Sequence, residues 1–203
     1  MGYQINGLDQ AIAAGSFSYT VPGTDGDDDL AGQYGSDIIN GGRGNDHLRG
    51  LYFELEDIAS DGDDRLDGGE GNDIIEDGGG SDVIIGGPGV DLVMLAHDST
   101  QDTIVFKKGD AVVSATPVQL QYGQTAVSDK VESFDPSSDI IQVSGYGLTA
   151  SQLVSNTKRD SSGRYTSGPS GSRYHSYTLT LNAQEKVVIW SSGSLTERNF
   201  EVR

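Results

Sequence analysis

A nine-residue period runs from Gly23 to Met94 and constrains the fold more than any other feature of the chain. The segment divides into eight consecutive blocks: GTDGDDDLA, GQYGSDIIN, GGRGNDHLR, GLYFELEDI, ASDGDDRLD, GGEGNDIIE, DGGGSDVII and GGPGVDLVM. Seven of the eight carry glycine at the fourth place, at Gly26, Gly35, Gly44, Gly62, Gly71, Gly80 and Gly89. The same seven carry aspartate at the sixth, at Asp28, Asp37, Asp46, Asp64, Asp73, Asp82 and Asp91. They also place an aliphatic residue at the eighth, from Leu30 and Ile39 through to Val93. Acidic, glycine-rich composition alone favours disorder, but disorder does not hold three columns in register.

The period reads as a six-residue turn followed by a three-residue strand. Glycine suits the turn because it tolerates positive φ and lets neighbouring turns stack closely. In the strand only the eighth residue points inward. Two blocks make one coil, so turns on the same side come from every second block. The backbone entropy of fixing nine residues far exceeds what one buried leucine or isoleucine returns. Stacking also brings carboxylates of like charge together. A hard divalent cation between turns reverses that repulsion: Ca²⁺ takes 6–8 oxygen ligands with tolerant geometry, whereas Mg²⁺ demands a rigid octahedron.

This pattern resembles the G-G-x-G-x-D-x-U-x nonapeptide of the RTX (repeats-in-toxin) family, a calcium-binding parallel β-roll. The resemblance implies Ca²⁺ as a structural cofactor held by the seven aspartates and by carbonyls of the turns that contain the seven glycines. Folding and metal binding would then be one equilibrium. The fourth block, GLYFELEDI (50–58), keeps only its first glycine. Either it is a degenerate half-coil, pairing the aspartates as 28/46, 46/64, 64/82 and 73/91, or it is looped out. The second case gives 28/46, 46/73, 73/91, 37/64 and 64/82. Four or five full calcium sites follow.

The rest of the chain frames this segment. Residues 1–22 read as an N-terminal cap or linker, since repeat arrays need atypical end units. From Leu95 the period becomes two: DTIVF, AVVSA, VQLQY, KVESF, DIIQVSG, YTLTL and KVVIW read as strands. ASQLVS (150–155) reads as a short helix. The expected architecture is all-β: a parallel β-roll over 23–94, continued and capped by an antiparallel β layer over 95–203. FDPSSDIIQVSG, LTASQLV and SLTERNFEV resemble the C-terminal portion of type I secreted RTX proteins. That likeness implies an uncleaved export signal near Glu197–Val202, although Arg203 departs from the usual hydrophobic ending. It also implies the type I secretion machinery as a partner and an extracellular location, where sites of this kind work at about 10⁻⁴–10⁻³ M calcium.

Charge excludes several function classes. The formal net charge is −18, and residues 23–94 hold 19 of the 31 acidic residues but only 3 of the 13 Lys and Arg. Nucleic acid needs a basic footprint, and an anionic membrane surface is disfavoured for the same reason. No apolar run reaches the length of a membrane span, and MGYQINGLDQ has no signal-peptide layout. Cysteine is absent, so no disulfide supports the fold.

Catalytic patterns are missing. There is no HExxH and no G-x-S-x-G. GYGLTA (145–150) lacks the setting of a dinucleotide fingerprint. Asp135-Pro136 belongs to the FDPSSD motif rather than to a self-cleaving module. His47, at a variable seventh position, is expected to point outward, and His97 beside Asp98 and Ser99 makes no triad by adjacency. The chain therefore reads as a non-catalytic part of a larger exoprotein. One basic stretch, 155–177, stands out: Lys158, Arg159, Arg164, Arg173 and His175, with Tyr174 among them. It suits either a long solvated loop or an anionic polysaccharide, where guanidinium pairs with carboxylate and tyrosine stacks on sugar. In size and layout the chain is similar to the calcium-roll accessory modules of secreted mannuronan C5-epimerases.

Overall fold

A computed structural model gives the fold and describes residues 18–51, 61–160 and 174–203. Two sheets face each other across a narrow core, and successive strands of the repeat region alternate between them. The first sheet runs, in spatial order, β1 (Thr20–Thr24), β3 (Ile38–Arg43), β5 (Arg65–Glu70), β7 (Val83–Ile85), β9 (Thr103–Lys107), β13 (Ile140–Ser144) and β17 (Phe200–Val202). Every pairing in it is parallel. The second begins with β2 (Asp29–Ala31), β4 (His47–Arg49), β6 (Ile74–Glu76), β8 (Leu92–Met94), β12 (Asp129–Phe134) and β16 (Lys186–Ser191), again all parallel. It ends in two antiparallel strands, β15 (His175–Thr180) and β14 (Thr157–Arg159).

The eighth residue of each repeat builds the core. Leu30, Leu48, Ile75 and Val93 align in one column and continue into Val131 and Ile189. Ile39, Leu66 and Ile84 align in the other and continue into Ile104, Ile141 and Phe200. All of them are buried. The roll therefore does not stop at Met94. β9, β12, β13, β16 and β17 extend it as parallel strands, and among the described residues antiparallel pairing is found at β14–β15–β16, at β10 (Val118–Gln119) with β11 (Thr125–Ala126), and at one isolated bridge between Val112 and Glu185. At the other end β1 straddles residue 22 and pairs fully with β3, with Val21 opposite Ile39.

Helix α1 (Ala150–Ser155) forms where the apolar spacing places it. Thr149 caps it in a reciprocal capping box with Gln152, and Leu153 enters the core. Two expected strands differ. AVVSA contributes only isolated bridges at Ala111 and Val112, and VQLQY gives the two-residue β10 followed by a 3₁₀ turn at Gln121–Gly123. The reason is packing: Leu120 and Ala126 lie over Ile74, Leu92 and Met94 on the outer face of the second sheet. Ile74 and Leu92 sit at seventh positions, so this segment covers apolar side chains that the roll itself turns outward.

Candidate metal centre

Two ladders of aspartates run along the roll, one at each row of turns. In the first, Oδ1 of Asp46, Asp73, Asp91 and Asp129 accepts the backbone N–H of Asp28, Asp46, Asp73 and Asp91 respectively, at 2.8, 2.8, 2.9 and 3.1 Å. In the second, Oδ1 of Asp64, Asp82, Asp102 and Asp139 accepts from Asp37, Asp64, Asp82 and Asp102, at 2.7, 2.7, 3.0 and 3.3 Å. Each carboxylate thus spends one oxygen fixing the preceding coil's turn.

The other oxygen is left over. Oδ2 of Asp46, Asp64, Asp73, Asp82, Asp91 and Asp129 is buried and has no hydrogen-bond partner. A buried carboxylate oxygen without a partner is strongly unfavourable unless a cation satisfies it. Burial pushes the carboxyls up: Asp46 to about 6, Asp73 and Asp102 to about 7, Asp64 to about 8 and Asp82 to about 9. Neighbouring aspartates in the same ladder add to the rise. Burial also holds Asp91 and Asp129 well above the ordinary carboxylate range.

Glycines shape the space around these oxygens. A Cβ on Gly32, Gly41, Gly50, Gly68 or Gly86 would lie 2.4 Å from Oδ2 of Asp37, Asp46, Asp64, Asp73 or Asp91. First-position glycine therefore clears room beside Oδ2, which is unpartnered in Asp46, Asp64, Asp73 and Asp91 and accepts the Gln33 N–H at 2.7 Å in Asp37. Fourth-position glycine serves stacking: a Cβ on Gly71 would lie 1.5 Å from the carbonyl oxygen of Gly44. Four of the seven fourth-position glycines, Gly35, Gly44, Gly71 and Gly80, have positive φ; Gly26, Gly62 and Gly89 do not. The turn carbonyls of this column are thus held at close range to the turn above.

The interruption falls inside a turn. Asp37 steps to Asp64 and Asp46 to Asp73, 27 residues each, where the other steps within the repeat region span 18. Ile39 pairs directly with Leu66 and Leu48 with Ile75. Gly50 takes the first position of the turn that ends at Asp64. The turn thus begins at Gly50-Leu51 and resumes at Asp61, giving a composite nonapeptide of ordinary pattern, GLDGDDRLD. The ladder follows the second of the two pairings, with the break placed two residues later than a 50–58 block. Residues 52–60 lie outside the described residues.

Three ladder members escaped the repeat pattern: Asp102, Asp129 and Asp139. They share a signal with the repeats, the triplet Asp-x-aliphatic, as Asp102-Thr103-Ile104, Asp129-Lys130-Val131 and Asp139-Ile140-Ile141. Loops between them break the nine-residue spacing, so period alone does not find them. FDPSSD closes the second ladder: Oδ2 of Asp139 accepts the Asp135 N–H at 2.7 Å, and Asn199 donates to the carbonyls of Pro136 and Asp139.

The remaining candidates separate. Lys158 and Arg159 are exposed on the edge strand β14, and Arg159 donates to His175 at 2.7 Å. Tyr174 is 5 % exposed and stands edge-on to His97, with its hydroxyl on the His97 ring, so its face is not presented to solvent. Arg164 and Arg173 lie outside the described residues. His47 does lie on the outer face of the second sheet, but it is only 4 % exposed because Tyr122 covers it, ring centroids 5.0 Å apart. Its Nδ1 accepts from Arg49 and its Nε2 donates to Glu76 at 2.6 Å, holding the Glu76 carboxyl below its usual range. That network ties neighbouring strands together.

No curated protein sequence matches the chain. A solution structure of the AlgE6R3 subunit of the mannuronan C5-epimerase from Azotobacter vinelandii aligns with 24 % identity over 88 % of this chain and 79 % of that one, with a TM-score of 0.33. The family model of the RTX calcium-binding nonapeptide repeat matches four copies, at residues 22–51 and 58–93. With the period, the roll and the aspartate ladders already in place, segments 22–51 and 58–93 of this chain belong to the RTX calcium-binding nonapeptide repeats.

Proposed function

We propose that the chain is a non-catalytic module that folds on extracellular Ca²⁺ and supports secretion and stability of a larger exoprotein. One observation carries the reading: six buried Oδ2 atoms without partners, spaced along two ladders. The donor set fits calcium, since it is all oxygen, carboxylate and carbonyl, with no nitrogen or sulfur ligand. Oδ2 of Asp46, Asp64, Asp73, Asp82, Asp91 and Asp129 would hold the ions, with carbonyls from the stacked turns. Bound calcium supplies positive charge between like-charged turns. The protein's part is to fix the carboxylates through their Oδ1 bonds and to exclude water. Because the ladders pass into β9, β12 and β13, calcium would order residues beyond the repeats as well.

In the calcium-poor cytosol this charge leaves the chain unfolded, a state that suits passage through a secretion channel. Circular dichroism during a calcium titration tests the reading: a cooperative gain of β signal is expected, with Mg²⁺ unable to replace Ca²⁺. A fully folded spectrum in chelator, unchanged by calcium, overturns it.

A second reading, binding of an anionic polysaccharide through 155–177, draws support from exposed Lys158 and Arg159 on β14. Charged residues on an edge strand also serve to block edge-to-edge pairing. Isothermal titration with alginate in calcium, comparing the wild type with Lys158→Ala/Arg159→Ala, separates the two roles.

A further inference from the structure

One turn of the roll departs from the others at its first position. Where Gly41 and Gly68 leave space beside Oδ2 of Asp46 and Asp73, the turn ending at Asp82 begins with Asp77. Asp77 is 2 % exposed, and its partners Asp82 and Asp102 are 1 % and 2 % exposed. Carboxylate oxygens of the three all lie within 4.8 Å of one another. That is the widest separation open to two oxygens that each sit about 2.4 Å from one calcium ion.

The local bonds leave this cluster short of positive charge. Oδ1 of Asp77 accepts the Ala96 N–H at 2.8 Å, and its carboxyl also meets that of Asp102. Oδ1 of Asp82 accepts from Asp64, whereas its buried Oδ2, the oxygen that lies beside the first position in the glycine-led turns, has no partner. None of the ion pairs among the described residues reaches the three. The nearby Asp98 adds negative charge, with its own oxygens engaged by the Gly80 N–H and Thr100.

We propose that Asp77, Asp82 and Asp102 form a three-carboxylate calcium site, distinct from the steps that offer two ladder carboxylates, which binds its ion most tightly and loads first. The proposal deepens the calcium reading above and rests on it. Ligand charge tunes the affinity of an oxygen site, and here one substitution at a position otherwise held by glycine adds a full negative charge. Position matters too: the site lies at the junction of β7 and β9, between the repeats and the C-terminal half. An ion bound there first would join the two parts of the roll before the remaining steps fill.

Calorimetric calcium titration of the full chain tests this, with Asp77→Gly and Asp77→Asn beside the wild type. The wild type is expected to show one site at least about tenfold tighter than the rest. Both variants should lose that class, retain the weaker classes, and reach the wild-type circular dichroism spectrum in saturating calcium. Asp77→Gly should fold because it restores the residue found in neighbouring turns; if it does not, Asp77→Asn alone decides. Unchanged tight binding in Asp77→Asn, or tighter binding in Asp77→Gly, overturns the proposal. A wild type with a single uniform class of calcium sites overturns it too but leaves the calcium reading intact. A wild type that binds no calcium removes both.

Discussion

At the scale of the residue, the aspartate of each repeat has two jobs, one per oxygen. Oδ1 pins a backbone N–H in the neighbouring coil, and Oδ2 remains for the cation. Asp73→Asn keeps an acceptor for the first job and loses the charge for the second. It should lower stability in saturating calcium by about 1–3 kcal/mol and raise the calcium midpoint, read by thermal denaturation and titration. Asp73 contributes to two steps, 46/73 and 73/91, so more than one ion should be affected. Glycines of one column should respond unequally to alanine. Gly71→Ala drives a Cβ onto the Gly44 carbonyl at a residue with φ +147°, and a loss above about 4 kcal/mol is expected. Gly26→Ala, whose Cβ would meet nothing nearer than 4.0 Å, should stay within about 0.5 kcal/mol. Denaturation in calcium distinguishes the pair.

At the scale of the element, strands of three residues are too short to stand alone and gain their stability from the stack. The stack also explains why the outer segment around β10 and β11 exists. Its Leu120 is buried against Ile74 and Leu92, apolar residues at positions that repeats usually leave to solvent. Leu120→Ala should cost about 2–3 kcal/mol while leaving calcium stoichiometry unchanged, since Leu120 packs on the outer face of the second sheet and is not itself a ladder residue. Differential scanning calorimetry with a parallel calcium titration checks both halves of that statement. α1 was legible from sequence to the residue because its capping box is local. The antiparallel expectation for the C-terminal half was correct only for β14–β15–β16 and β10–β11. A period of two identifies strands but carries no information on the direction of their partners.

At the scale of the whole molecule, the roll carries a dense set of buried carboxyls. Burial raises Asp64, Asp73, Asp82 and Asp102 from the ordinary 3.8 to about 8, 7, 9 and 7. Across roughly pH 4 to 9 the folded chain then holds protons that the unfolded chain has released, so its stability falls as pH rises. In chelator, therefore, the chain should show more residual β signal by circular dichroism at pH 5 than at pH 8. Calcium replaces those protons, so binding near pH 7.5 should release protons and weaken on acidification. Calorimetry in two buffers of different ionisation enthalpy measures the release. A chelated chain that is more stable at pH 8 than at pH 5 would contradict this linkage.

The sequence by itself determined the repeat unit, its seven aspartates, the inward column from Leu30 to Val93 and the demand for a hard cation. These are local or periodic properties, fixed by spacing and by the chemistry of glycine and carboxylate. Only the tertiary structure decided which turns stack on which. A roll pairs residues by position in the stack, not by distance along the chain, so an interruption after Leu51 leaves the ladder unbroken from Asp46 to Asp73. For the same reason Asp102, Asp129 and Asp139, separated by loops of unequal length, join ladders that no count of nine could reach. Asp77 is the clearest case: in sequence it is a lapse from glycine, and in the fold it faces two other carboxylates.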